Sequence, residues 1–374
     1  MQLIYFSPVP WASFQQRPHE FSGWAHRRLG ARILWVEPYP VRLPMLQDLR
    51  RPASAIAGPG QSQLPDWLQL IAPKALPLEP LGPGRALNQM LFWPRIISSL
   101  REFAARDPRT LIVVGKPSHL ALSTIEALPG ARCFYDAMDD FPVFHHGAAR
   151  VANARVEQAI VRRCFACSTS STYLAQRMRT ANSNVHLIPN GLATDRMPDA
   201  IATGANGKAG TGFGYVGTLG AWFDWAWIAA LASAWPERAI DIYGPMYRQP
   251  TVKLPANVHL HPALPHAQAL RKMAGFGAGL IPFLQNELTE SVDPVKYYEY
   301  RGLGLPVVST PFGEMRQRAD AARVVLTSDP GRDRAPIDAL LTGRDTAESV
   351  SAFRVAHAWD TRFEPLAAVL APAS

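Results

Sequence analysis

Lys296 and Glu299 stand three residues apart in the segment Thr289–Pro311, TESVDPVKYYEYRGLGLPVVSTP. At helical spacing they share nearly one face. Pro294 suits a first helical turn, where its missing N–H would be unpaired anyway, and Asp293 before it is a good capping residue. Gly302 and Gly304 supply the helix stop. Leu305–Ser309 then reads as a buried strand. A helix N-terminus beside a lysine attracts anions, because its N–H groups and dipole favour phosphate. A carboxylate one turn on can accept two hydrogen bonds from neighbouring hydroxyls, as on a ribose. The segment therefore suits a diphosphate and a ribose together. Glu290 and Tyr298 belong to the same stretch. The plain alternative is an amphipathic helix with a solvated lysine and glutamate.

A second group of polar residues lies in Phe134–Phe141, FYDAMDDF, where Asp136, Asp139 and Asp140 follow an apolar strand. In parallel sheets ligands collect at the carboxyl ends of strands. Crowded carboxylates raise one another's pKa, which suits a general base. His145 and His146 lie just beyond and offer the same service. The alternative is a loop cluster capping the next helix. Arg17, in the early stretch Trp11 to His19, is placed to hold an acceptor phosphate bidentately. Gly217 and Gly220 in Gly214–Gly220, GYVGTLG, let a backbone approach a ligand closely. Thr218 adds a hydroxyl. Pro282-Phe283 and Gly244-Pro245 are candidates to line a base pocket.

These residues need elements to hold them. Apolar runs at Leu3–Phe6, Arg32–Val36, Leu111–Val114, Ala131–Tyr135, Cys164–Ser168 and Val185–Ile188 alternate with helical stretches. The alternation resumes with strands at Gly214–Val216, Ala239–Tyr243, Val258–Leu260, Ala278–Pro282, Pro306–Thr310 and Arg323–Leu326. Strand–helix alternation means parallel sheets covered on both faces. Gly204–Gly212 is a polar linker between the two series. At 374 residues the chain exceeds one ordinary core. The boundaries read as 1–190, 204–345 and a helical tail 346–374. Arg85–Arg106 has apolar residues at helical spacing and reads as a core helix kinked or broken at Pro94.

Hydrophobic residues make up 48% and charged residues 18%, which excludes a disordered chain. Net charge is +8, and residues 1–170 hold 19 basic against 12 acidic side chains. That basic half favours phosphate-bearing partners or an anionic membrane surface. No basic stripe interleaved with aromatics points to nucleic acid. Three cysteines do not make a disulfide framework. Cys164 and Cys167, read as one strand, face opposite sides, so neither a metal nor a redox role is expected of this CxxC pair. No signal peptide and no spanning run is evident, so a cytoplasmic place is expected.

The opening loop with Trp11 and Gln16-Arg17-Pro18-His19, the acidic strand end Phe134–Phe141, Ile188-Pro-Asn-Gly191, the Gly214–Gly220 loop and Asp293–Thr310 together resemble glycosyltransferases of the GT-B type. The resemblance implies two Rossmann-like domains facing across a cleft, with the C-terminal helix returning to the first. It implies a nucleotide-sugar donor, with UDP the expected carrier, held without metal or cofactor by Gly217, Thr218, Phe283, Glu290, Lys296, Tyr298 and Glu299. The acceptor, a saccharide or polyprenyl-diphosphate-linked sugar, would meet Arg17 and Trp11. Glu290 and Glu299 are nine apart, whereas the retaining pattern has two glutamates eight apart, with Ser291 at the expected first place. The layout is more similar to bacterial exopolysaccharide enzymes of the xanthan-type glucuronosyltransferase group. That implies inversion, with Asp139 as base, Asp140 second and His145 as a further candidate, at the inner face of the plasma membrane. A sugar-nucleotide epimerase and a non-catalytic binding protein share the architecture.

Overall fold

A computed structural model describes residues 1–39, 64–76, 82–198, 212–343 and 345–371. The polar stretch 204–211 and the proline-rich residues 77–81 lie outside the described residues. The chain forms two compact units, Met1–Pro189 with Phe363–Ser374, and Asn190–Arg362.

The first unit is built on seven strands: β1 (Gln2–Phe6), β2 (Arg32–Val36), β3 (Leu68–Ile71), β4 (Leu111–Val114), β5 (Arg132–Ala137), β6 (Ala166–Thr169) and β7 (Val185–Leu187). Their order is β3-β2-β1-β4-β5-β6-β7, and every pairing is parallel. β1, β4 and β6 are buried at every residue, as sheets covered on both faces require. β3 is an edge strand with two exposed residues, and sequence reading passes over it for that reason. The order reverses between β1 and β4, which is where Rossmann-type sheets take their ligands.

The second unit has β8 (Phe213–Val216), β9 (Ile240–Tyr243), β10 (Val258–His261), β11 (Ala278–Ile281), β12 (Val307–Ser309) and β13 (Val324–Leu326). Their order, β10-β9-β8-β11-β12-β13, is again wholly parallel and reverses between β8 and β11. Its core gathers Phe213, Tyr215, Trp235, Ile242, Leu280 and Tyr300 among others.

The expected break at Pro94 is met, and three other local expectations are corrected. Arg85–Arg106 is two helices, Gly82–Leu91 and Trp93–Ala104, because Pro94 can start a helix but not continue one. Only the second is a core helix, burying Trp93, Ile96, Leu100 and Phe103, while Leu87, Met90 and Leu91 of the first are exposed. Arg17 is the first residue of the Arg17–Leu29 helix rather than part of a loop. Cys164 caps the Gly147–Arg163 helix, so it and Cys167 do not share a strand; both belong to one apolar cluster with Cys133.

The chain end packs within the first unit. The Phe363 ring meets Phe21 edge-on at 5.4 Å and Trp24 at 5.6 Å. Arg132 donates to the carbonyls of Val369 and Ala371, and Arg28 pairs with Glu364. The C-terminal helix Pro365–Leu370 is thus part of the first unit.

The ends of β8 and β9 fit so closely that a side chain is impossible at Gly244. Its φ is +154°, and an added Cβ would lie 1.8 Å from the Gly217 carbonyl oxygen. Gly244→Ala should therefore lower stability by about 2–4 kcal/mol. Gly343→Ala, with nothing within 4 Å of the added carbon, should change it by less than about 0.5 kcal/mol. Urea unfolding of both variants checks this, and equal midpoints would remove the argument for that contact.

Candidate functional site

In the second unit the helix Val295–Gly302 starts after Pro294 and brings Lys296 and Glu299 together. Lys296 Nζ lies 2.6 Å from Glu299 Oε2. His266, the first residue of the His266–Met273 helix, places Nε2 3.0 Å from Glu299 Oε1. Glu299 is buried, and burial alone would raise its pKa; Lys296 and His266 outweigh this and hold it down at about 2. An ammonium has three donors, so Lys296 keeps two beyond the one it gives Glu299. Lys296 is partly exposed and His266 half-exposed. The pair is thus a fixed anionic carboxylate flanked by two solvent-reaching nitrogen groups.

Asp293 does not cap the helix as expected, since Pro294 holds the cap position. It is instead a buried hub. Its Oδ2 accepts the Asn190 N–H at 2.7 Å and the Tyr298 hydroxyl at 2.9 Å, and Arg318 meets its Oδ1 at 2.6 Å. The Arg318 guanidinium also lies 4.1 Å from the centre of the Tyr297 ring. Tyr298 is buried, and burial together with the Asp293 charge raises its hydroxyl pKa well above the ordinary value. It is a packing and anchoring residue rather than an open contact. Glu290 ends the short helix Glu287–Glu290 and pairs with Arg316 on the surface. Phe283 follows β11 and packs among Tyr215, Phe312 and Trp222. Gly217 and half-buried Thr218 follow β8. An added Cβ at Gly217 would meet the Tyr215 hydroxyl at 2.6 Å, and one at Gly220 would meet the Trp222 ring. Packing within the unit therefore already requires both glycines.

In the first unit Arg17 is 2% exposed and Asp136 1% exposed. Arg17 Nε and Nη2 approach Asp136 Oδ1 at 3.0 and 2.8 Å, and Nη1 donates to the Ile188 carbonyl at 2.7 Å. Ser168 donates to the same carboxylate at 2.6 Å. The fork expected to bind an acceptor phosphate is committed inside the protein. Trp11 is half-buried, gives its backbone N–H to the Glu37 carboxylate and packs against His19 and Trp35.

Asp139 stands two residues beyond β5 and is half-buried. Burial raises its pKa, Arg17 opposes this, and the Asp140 charge adds to it, leaving the carboxyl at about 7. Asp140 is buried and meets Arg177 at 3.3 Å. Arg177 also holds Glu157 at 2.7 Å, and Glu157 accepts the Tyr135 hydroxyl at 2.7 Å. His145 ends the short 3-10 turn Phe141–Phe144 and is half-buried; His146 caps the next helix. The carboxylate set is thus graded. Asp136 and Asp140 are tied to cations, while Asp139 is poised to take a proton near neutrality.

Sequence reading missed His266, Arg318 and Arg177. No local spacing marks them, because their partners lie 33, 25 and 37 residues away. Among the described residues no group of three or more histidine, cysteine or acidic side chains is placed to hold a metal ion. No described helix is long and apolar enough to cross a membrane.

No family model matches the chain, and no curated protein matches it in sequence. Solved structures do. A sucrose-phosphate synthase from Thermosynechococcus elongatus matches with a TM-score of 0.64 over 98% of both chains at 13% identity. Alr3699/HepE of Anabaena, crystallised with UDP-glucose, matches at 0.63 over 99% of both chains, also at 13% identity. The E. coli trehalose-6-phosphate structure bound to UDP-2-fluoro glucose matches at 0.60 over 99% of both chains at 11% identity. The chain has the GT-B fold, two Rossmann-like units on parallel sheets.

Removing Arg17 would strand a buried carboxylate. Arg17→Ala should lower stability by about 3–5 kcal/mol, and Arg17→Met with Asp136→Leu should recover most of it. Urea unfolding reads both. A singly substituted protein of wild-type stability would return Arg17 to a ligand-binding role.

Proposed function

We propose that this chain is a glycosyltransferase that moves a sugar from a UDP-sugar to an acceptor hydroxyl. The observation that carries the reading is Glu299, buried and held ionised between Lys296 and His266. It stands in the segment that resembles the donor segment of GT-B enzymes. The similar folds crystallised with UDP, UDP-glucose and UDP-2-fluoro glucose support the choice of carrier.

The residues divide the work. Glu299 accepts the two ribose hydroxyls. Lys296, with donors to spare, meets the diphosphate and takes up the charge that grows on it as the glycosidic bond breaks. Gly217, Thr218 and Phe283, at the carboxyl ends of β8 and β11, complete the donor side; Tyr298 and Glu290 support it through Asp293 and Arg316. Asp139 takes the proton from the acceptor hydroxyl as its oxygen attacks the anomeric carbon, and UDP leaves from the opposite face. The anomeric centre inverts, as the likeness to xanthan-type enzymes implies. Asp140 keeps a charge beside Asp139. The acceptor is a saccharide or a polyprenyl-diphosphate-linked sugar, consistent with the basic first half of the chain.

Lys296→Ala should weaken UDP binding about tenfold to a hundredfold, the worth of a charge-assisted hydrogen bond. Isothermal titration with UDP measures it; UDP binding that survives the change intact would contradict the donor assignment. Release of free UDP from UDP-sugar and acceptor is the signature of transfer. Conversion of the sugar nucleotide without acceptor would instead identify an epimerase.

Asp139 gives a pH prediction. Its carboxyl is raised, so the base is absent well below pH 7 and present above it. Activity should rise with pH through about 7 and be lost in Asp139→Asn. The sign for stability is the reverse. A raised carboxyl favours the folded state in its protonated form, and that contribution disappears as pH climbs through about 7. Asp139→Asn should therefore melt higher than wild type at pH 8. A variant both active and no more stable would remove Asp139 from the mechanism.

A further inference from the structure

Cys133 lies on β5, and Cys164 caps the Gly147–Arg163 helix. Their sulfurs are 2.6 Å apart across 31 residues of sequence. The two free thiols are in direct contact, so a sulfur–sulfur bond between them needs no rearrangement of the chain. Both are almost fully buried, as is Cys167 on β6 in the same apolar cluster. The local backbone explains the approach. β5 and β6 are neighbours with Phe134 opposite Ala166, and the Phe165 N–H donates to the Cys133 carbonyl at 2.9 Å. Asn182 fixes the end of the helix by donating to the carbonyls of Val161 and Cys164 at 2.9 and 2.7 Å. Cys164 is therefore held beside Cys133 by hydrogen bonds that do not involve sulfur. Cys133, and not the CxxC neighbour Cys167, is the sulfur that the fold brings to Cys164.

We propose that Cys133 and Cys164 form a redox modification site that closes to an intrachain disulfide when the protein meets a disulfide oxidant such as oxidised glutathione. One thiolate attacks the oxidant, forms a mixed disulfide and releases one glutathione thiol. The second protein thiol loses its proton, attacks the mixed disulfide and releases the other glutathione. Two protein thiols are oxidised, and one glutathione disulfide is reduced to two thiols. Burial raises the Cys164 thiol, so the first attack is slow and proceeds through local opening at the helix end. Closure is fast, because the second sulfur is already adjacent. The bond ties β5, the strand that leads to Asp139, to the helix that carries Glu157. The site does not depend on the donor chemistry.

The test uses the intact chain, incubated with oxidised glutathione, acid-quenched, unfolded and alkylated without reductant. The expected result is one alkylated cysteine instead of three, a mass lower by two hydrogen atoms before alkylation, and a non-reduced peptide pair joining Cys133 to Cys164. Dithiothreitol should restore three alkylations. Cys167→Ser should still cross-link, and Cys133→Ser should form no bond between Cys164 and Cys167. Three alkylated cysteines after an exposure that oxidises the urea-unfolded chain would overturn the proposal. So would a Cys164–Cys167 bond, or glutathione adducts alone.

Discussion

A carboxylate taken out of water at the end of a parallel strand must be met by donors, or burying it costs several kcal/mol. Parallel sheets bring the carboxyl ends of their strands to one edge, and the donors come from neighbouring strands and from the helices and turns beside them. In the first unit Asp136, on β5, draws on Arg17 from the helix after β1 and on Ser168 from β6, while Arg17 closes on the carbonyl of Ile188 after β7. In the second, Asp293 draws on Asn190, Tyr298 and Arg318, and Glu299 on Lys296 and His266. Each knot fixes the register of segments far apart in sequence, and each leaves the backbone around it with little freedom.

Against that background the unevenly treated carboxylate is the informative one. Arg177 is a single cation shared by Asp140 and Glu157, and Glu157 also takes the Tyr135 hydroxyl. Asp139, next in line, feels burial and a like charge with only Arg17 opposing them. Asp136, Asp140 and Glu157 are held by ion pairs, whereas Asp139 is left to take a proton near neutral pH. The same network that stabilises the sheet edge therefore creates a group that destabilises it slightly and can do chemistry.

Much of the fold was legible because strands buried on both faces are continuous apolar runs. Leu111–Val114 and Ala278–Ile281 are plain examples, each buried throughout. β3 was not legible, since an edge strand reading Leu-Gln-Leu-Ile with two exposed positions carries no such run. Lys296 and Glu299 were legible because a helix makes sequence neighbours into spatial ones. The partners that decide their behaviour were not. His266 reaches Glu299 from the start of another helix, and Arg17 reaches Asp136 across 119 residues, contacts that only the tertiary fold creates. Arg17 also shows how residue type misleads. The guanidinium geometry that suits a phosphate suits a buried aspartate equally well.

The glycine loop and the Lys296–Glu299 pair differ in what they say about function. Gly244 is required because the Gly217 carbonyl oxygen occupies the space its side chain would need, and Gly217 because the Tyr215 hydroxyl crowds it. Their presence would follow from a Rossmann sheet packed this tightly with any ligand or none. Solved structures at 13% identity share the fold over nearly the whole chain, which shows how little of the sequence that packing specifies. An ionised, buried glutamate between a lysine and a histidine does not follow from packing, since an apolar side chain of similar volume would fill the place at no electrostatic penalty. A carboxylate held ionised there by Lys296 and His266 gains a physical role if something with hydroxyl and phosphate groups comes to meet it, which is the ground for the proposal that it serves a nucleotide sugar.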